Sequence, residues 1–436
     1  MVDILPFRGV RYDPAAAGAD LASLVAPPYD VISQAEQDAL YAQHPANVVR
    51  LILGREDDKY MQAARLFRDW LASGTLKAED TPAMYVYRQA FSDPATGQPV
   101  PERVGLVCLL KLEDYSTGRV LPHEKTLTGP KADRLDLLRA TQAQFESIYG
   151  LFSDPDGSVR SFIQEYDDRE TVIESVDGII GSSHKIERIA DADAQAILQE
   201  LMADKAVFIA DGHHRYETAL NYQREVRAAS PDTGESPQAA DYILITLTAF
   251  EDEGLLVLPT HRLIRNVPTG TMAALPSALE KNFLLSESTP ETIEAEIAAQ
   301  AASGKTAFGV VLSPGLVQLA VLNADAAGSA AERLPVTLLG TRILDGCLGI
   351  DAAMVAAGNH VSYTRSLSEA VQAVSNGDAQ AAFLLGRPLV ADVEEVSLAG
   401  DVMPQKSTFF FPKLLSGLVL RDLRDPLVFH QSTEAF

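Results

Sequence analysis

A chain of 436 residues is too long for one compact core, so two or three lobes are expected. Sixty acidic residues against 36 basic ones leave a net charge of -24, which argues against a general binder of duplex DNA or anionic membranes, because neutralising phosphates needs a basic surface. A small anionic ligand in a local basic pocket stays open. Only Cys108 and Cys347 are present, each in an apolar stretch, so a disulfide framework or thiolate zinc site is not expected and both thiols read as core residues. The opening MVDILPFRGVRY has no basic and then apolar leader pattern, and no apolar run approaches a membrane span; a cytoplasmic location is the expectation.

In chain order, APPYDVIS (26–33) reads as a rigid Pro-Pro turn that presents Tyr29 and Asp30. Residues 59–71 have helical spacing at Tyr60, Ala63, Ala64, Phe67 and Trp70, with the tryptophan as a core anchor. Strands are predicted over 84–90 and 104–112, joined as a hairpin with a long loop. KAVFIA (205–210) predicts a buried strand and 217–228 a helix; the SPDTGESPQAA that follows is a surface loop, and YILITLTA (242–249) resumes as a strand. From about Gly270 the texture becomes that of a second α/β lobe, with a helix over 291–302 and a strand over 308–312. A connection around 323–333, a helix at 367–375, a strand at 381–385 and a last helix complete it. The expected division is 1–268, 269–400 and a tail, 401–436, packing back on the first lobe.

Four polar islands carry the chemistry. In ADGHHRYETAL (210–220), Asp211 to Arg215 lie where strand becomes helix, a place with open backbone N–H groups and the positive end of the helix dipole. Gly212 lets the backbone approach an anion, Arg215 can fork onto phosphate oxygens, and Asp211 can hold a divalent cation or cap the helix. Capping needs one residue rather than five, which favours a phosphate cradle. In LPHEKTLTGPKADRL (121–135), His123 and Glu124 are candidates for acid-base work, with Glu124 the candidate base; Lys125, Lys131 and Arg134 are candidate phosphate ligands, and a solvated charged loop is the plain alternative. VLPTHRLI (257–264) sets Thr260, His261 and Arg262 in an apolar stretch. VMPQKSTFFFPKLLSGL (402–418) places Lys406, Ser407, Thr408 and Lys413 among aromatics, as suits a tail folding over a site. Walker-type and GxGxxG loops, GxSxG and HExxH are all missing from the sequence, and adjacent His213 and His214 cannot both face one metal from a helix.

Taken together, PFRGVRYDP, APPYDVIS, HEKTLTGPKADRL, ADGHHRYETAL, LPTHRLI and MPQKSTFFFPKLLSGL resemble, in order, the signature of the bacterial and archaeal DUF1015 family, from Pro6 to Leu418. The run Asp211 to Tyr216 is also similar to the phosphate-contacting loop of the ParB/sulfiredoxin superfamily, which includes free serine kinases. His213 stands where sulfiredoxins have their cysteine, and the acidic charge disfavours a DNA role. The resemblance implies an α/β (α+β) fold, a ParB/sulfiredoxin-like N-terminal lobe with insertions plus a smaller α/β lobe. It implies an ATP- or ADP-dependent kinase of a small hydroxyl metabolite, free L-serine favoured, with Mg²⁺ on Asp211, the phosphates on Gly212, His213, His214 and Arg215, and Glu124 as base. A non-catalytic nucleotide-binding regulator and a nucleotide or phosphate-ester hydrolase are the alternatives. The expected partners are thus nucleotide and small-molecule substrate, with no nucleic acid and no membrane.

Overall fold

A computed structural model describes residues 2–124, 129–179, 181–229, 236–313, 315–323 and 328–429, without the side chains of 129–131. The chain is mixed α/β and divides into two compact units. The first comprises Met1–Pro122, Thr126–Leu256 and Pro412–Phe436; the second comprises His123–Lys125 and Val257–Phe411.

The first unit is built on a nine-stranded sheet. Its strands are β1 (Ile4–Leu5), β2 (Met84–Ser92), β3 (Pro99–Lys111), β4 (Val120–Pro122), β5 (Ile148–Phe152), β6 (Glu170–Ile179), β7 (Ser182–Ile189), β8 (Val207–Asp211) and β9 (Tyr242–Ala249). They lie in the order β4-β8-β5-β9-β3-β2-β7-β6, with β1 also paired to β3. Every residue of β9 is buried, because it runs parallel to β5 on one side and antiparallel to β3 on the other. Its largely apolar make-up, with Thr246 and Thr248 also buried, suits that interior place. The hairpin of β2 and β3 is longer than the sequence indicates. Pro99 and Pro101 fall in the exposed outer end of β3, where a missing N–H costs little, so the connecting loop is correspondingly short.

Helices α1 (Lys59–Ser73), α2 (Gly129–Thr141), α3 (Ala192–Met202) and α4 (His213–Ala229) also belong to this unit. Helix α1 buries Ala63, Ala64, Phe67 and Trp70, the stripe expected from its spacing, and Gly74 ends it with φ +80°. Helix α4 starts at His213, ahead of the expected position, so the polar island itself supplies the first helical turn. Cys108 is fully buried in this core, and neither cysteine is in a disulfide.

The second unit holds a six-stranded antiparallel sheet of β10 (His261–Ile264), β11 (Phe283–Ser288), β12 (Ala307–Ser313), β13 (Leu316–Leu322), β14 (Val361–Thr364) and β15 (Ala381–Leu384), ordered β11-β13-β12-β15-β10-β14. The division falls ahead of β10 rather than after it. That strand's hydrogen bonds go to β14 and β15, more than ninety residues on, a pairing that no local pattern announces. The tail divides as well: residues up to Phe411 belong to the second unit, and from Pro412 the chain is part of the first. Among the described residues no helix is long and apolar enough to cross a membrane.

Candidate functional site

Strand β8 pairs in parallel with β4 and antiparallel with β5, so Asp211 ends an interior strand. Gly212 then turns the chain with φ +88°, and the first helical bond of α4 runs from Tyr216 N–H to the Gly212 carbonyl at 3.0 Å. No side chain fits at Gly212. A Cβ there would meet Ile148 Cγ2 at 2.8 Å and Arg215 Nη2 at 3.0 Å. The guanidinium therefore lies back over the glycine, where Nη1 donates to the Ser147 carbonyl at 2.9 Å and Nη2 pairs with Asp211 Oδ2 at 3.2 Å.

A second cation reaches the same carboxylate. Lys413 Nζ donates to Asp211 Oδ1 at 2.6 Å, and the lysine is buried. Burial by itself would raise the Asp211 pKa. The charges of Lys413 and Arg215, helped by the Lys413 hydrogen bond and by His213, reverse that and hold the carboxyl well below the usual range. Arg215 answers in the opposite sense: burial works to lower its pKa, but Glu146, Asp211, Asp30 and Tyr29 hold it above the ordinary guanidinium value.

Lys413 is placed by a buried polar network. Arg103, 1% exposed, donates from Nε to Gln89 Oε1 at 3.0 Å and from Nη2 to the Pro412 carbonyl, while Gln89 Nε2 donates to the Lys413 carbonyl at 3.3 Å. Tyr87 Oη and His184 Nδ1 lie 2.6 Å apart in the same network, and Ser182 Oγ is 2.8 Å from His184 Nε2. Three residues on, Ser416 exchanges backbone hydrogen bonds with Ala26 and donates from Oγ to Glu146 Oε1 at 2.9 Å. Tyr29 N–H donates to the same Glu146 oxygen at 3.0 Å, and the Arg134 guanidinium lies 4.0 Å from the Tyr29 ring centroid. Arg134 also pairs with Asp133, which takes further bonds at 2.7 Å from Lys59 and from Tyr60. The APPYD turn, the DGHHR junction, Arg134 and the tail lysine thus meet within the first unit, together with Glu146, which the sequence reading did not single out. His213 is buried and His214 half-buried on the first turn of α4.

His123 and Glu124 belong to the second unit, as does Lys406. The Glu124 carboxylate accepts from the backbone N–H groups of Lys406, Ser407 and Thr408 at 3.2, 3.0 and 3.0 Å, and from Thr408 Oγ1 at 3.1 Å. To act as a base it would first have to give up some of these donors. Lys406 takes part through its backbone, at φ +57°, with its side chain exposed. His261 is fully buried; it accepts from Leu385 N–H at Nδ1, and burial lowers its pKa to about 4. Lys125 lies outside the described residues, and so does the side chain of Lys131.

The donor set does not fit a resident Mg²⁺. Each Asp211 oxygen already faces a cation, and among the described residues no group of three or more His, Cys, Asp or Glu side chains is arranged to hold a metal.

A family model described as a protein of unknown function, DUF1015, matches residues 4–339. The chain belongs to this family. No curated protein matches this DUF1015 chain. Among solved structures it is similar to a conserved hypothetical protein from Pyrococcus furiosus, at 15% identity over 71% of this chain and 92% of the other, with a TM-score of 0.35. A free serine kinase in complex with AMP matches at 12% identity over 70% and 86%, TM-score 0.36. SbnI with a C-terminal truncation, from Staphylococcus aureus, matches at 9% identity over 71% and 85%, TM-score 0.34. Likeness at that level assigns this DUF1015 protein neither a fold family nor an activity.

Proposed function

We propose that the first unit binds the phosphates of ATP or ADP where β8 turns into α4, and that the protein is a nucleotide-dependent phosphotransferase acting on a small hydroxyl metabolite. The observation that carries this reading is the meeting of Lys413 and Arg215 on the single Asp211 carboxylate, at a glycine turn opening a helix. Lys413 and Arg215 set two cations on the Asp211 carboxylate where helix α4 begins, and the positive end of the helix dipole lies at the same turn. Phosphate oxygens match that chemistry. Phosphoryl transfer asks mainly for positioning and charge neutralisation, which a fork from Arg215 and a point charge from Lys413 supply. Asp211 in this reading fixes both cations. His213, His214 and Arg134 are the further proposed phosphate contacts, and free L-serine is favoured as acceptor on the resemblance of residues 211–216 alone.

The engagement of Asp211 by both cations favours one second reading, a regulator that binds a nucleotide without turning it over. Following ATP or ADP by phosphorus NMR, with added Mg²⁺ and with or without L-serine, separates these. A kinase consumes nucleotide only when acceptor is present, a hydrolase consumes it regardless, and a regulator binds it unchanged. Arg215→Ala should weaken nucleotide binding by about 10- to 150-fold through loss of a charge-assisted contact. A wild-type chain that binds neither nucleotide in calorimetry sinks the proposal.

A further inference from the structure

The cation cluster borders a small cleft whose walls are apolar at Leu137, Leu138 and Ile243 and whose polar liners include Glu146, Arg215 and Arg134. Glu146 and Arg215 are opposite charges on the same cleft, yet among the described residues they form no ion pair with each other. Each is tethered by other groups. Glu146 Oε1 is held by Tyr29 N–H and Ser416 Oγ, and Arg215 is held by the Ser147 carbonyl and Asp211. Glu146 Oε2 takes no hydrogen bond from any described residue, although Glu146 exerts the largest charge effect on Arg215. A half-buried carboxylate with one oxygen open and a mostly buried guanidinium stand apart on one cleft, and a ligand carrying the complementary pair of charges bridges them.

We propose that this cleft is a subsite for a small zwitterion of the α-amino-acid type. Glu146 Oε2 receives the ammonium, the Arg215 side of the cleft receives the carboxylate, and the leucine and isoleucine wall admits a short uncharged side chain. Size agrees with the chemistry. The cleft volume is about 60 Å³. One water needs about 10–15 Å³ on that scale, so the body of the ligand is roughly five non-hydrogen atoms. The inference deepens the phosphotransferase reading and rests on it for the meaning of the subsite, but Glu146 is assigned from the cleft itself.

The test is calorimetric or NMR titration of the full chain with L-alanine, L-serine, propionate and ethylammonium, without nucleotide. Both amino acids are expected to bind, and each single-charge probe to bind about tenfold more weakly or worse. Glu146→Gln should weaken L-alanine by about tenfold and leave propionate unchanged. Ser416→Ala keeps the carboxylate but removes one tether, so it should weaken L-alanine by only about threefold, and it decides the matter should the glutamine variant fail to fold. Absence of amino-acid binding to the wild-type chain overturns the subsite, and so does a folded Glu146→Gln chain that binds L-alanine normally. ATP titrated into the same wild-type sample keeps the two readings separate: nucleotide binding without amino-acid binding removes the subsite and leaves the phosphate site standing.

Discussion

Replacing Gly212 with alanine tests the turn on which the phosphate site depends. The backbone there sits at φ +88°, where a Cβ costs about 1–2 kcal/mol. The new methyl would also stand 2.8 Å from Ile148 Cγ2, on a side chain with no exposed surface, and overpacking of this kind costs about 1–3 kcal/mol. The guanidinium of Arg215, 3.0 Å away, can retreat, but only by giving up the Ser147 carbonyl and Asp211. The combined loss is about 2–5 kcal/mol. Trp70 is the single tryptophan of the chain and lies in the core of the first unit, so its fluorescence during urea unfolding reports on this unit alone. Asparagine tolerates a left-handed backbone better than alanine does, so Gly212→Asn should recover the conformational share and keep the steric one. A Gly212→Ala chain within about 0.5 kcal/mol of wild type would show that neither the conformation nor the crowding is real.

Arg103→Met keeps an apolar stem but removes the fork that holds Gln89 and the Pro412 carbonyl, so it should cost about 1.5–3 kcal/mol. It should also hasten limited proteolysis around residues 412–416, and unchanged cleavage there would detach Lys413 from this network. Two buried histidines make stability depend on pH. Burial lowers the pKa of His184, and likewise of His261, to about 4 from an ordinary 6.5. The unfolded chain therefore protonates first, and the stability held by each neutral ring is complete above pH 6.5 and declines as pH falls toward 4. At about pH 5 the loss is about 2 kcal/mol per histidine. Urea midpoints compared between neutral and mildly acidic pH check this, and His184→Gln should flatten the share seen by Trp70; an equally steep decline in that variant would assign it to other groups.

Much of the local structure was legible from sequence, because it follows from composition over short windows. The largely apolar, β-branched run of 242–249 is the interior strand β9, and the stripe from Ala63 to Trp70 is the buried face of α1. The start of α4 was harder to read, since His213, His214 and Arg215 look like a loop motif while serving as a helical turn. Of the site, Asp211, Gly212 and Arg215 stand out as a group because they adjoin in sequence. Glu146 gave no such signal, standing alone between Phe145 and Ser147 in FES. Lys413 is only one of several basic residues in an aromatic tail, because its partner is 202 positions away. Pairings of that range are fixed by the sheet and the Arg103 network, and no spacing rule within one element reveals them.

The distance along the chain between Asp211 and Lys413 also sets a clock. A ribosome adding about 5–20 residues per second needs roughly 10–40 s to cover the 202 positions from one to the other. Through that interval the nascent first unit has Asp211 and Arg215 but not the lysine, and it lacks Leu420, whose backbone exchanges hydrogen bonds with Val10. The second cation and the closing strand contact arrive together, after the whole second unit has been translated. A prematurely terminated product therefore carries Asp211 and Arg215 without Lys413, so the two-cation arrangement at β8 and α4 is confined to chains whose synthesis has passed this point.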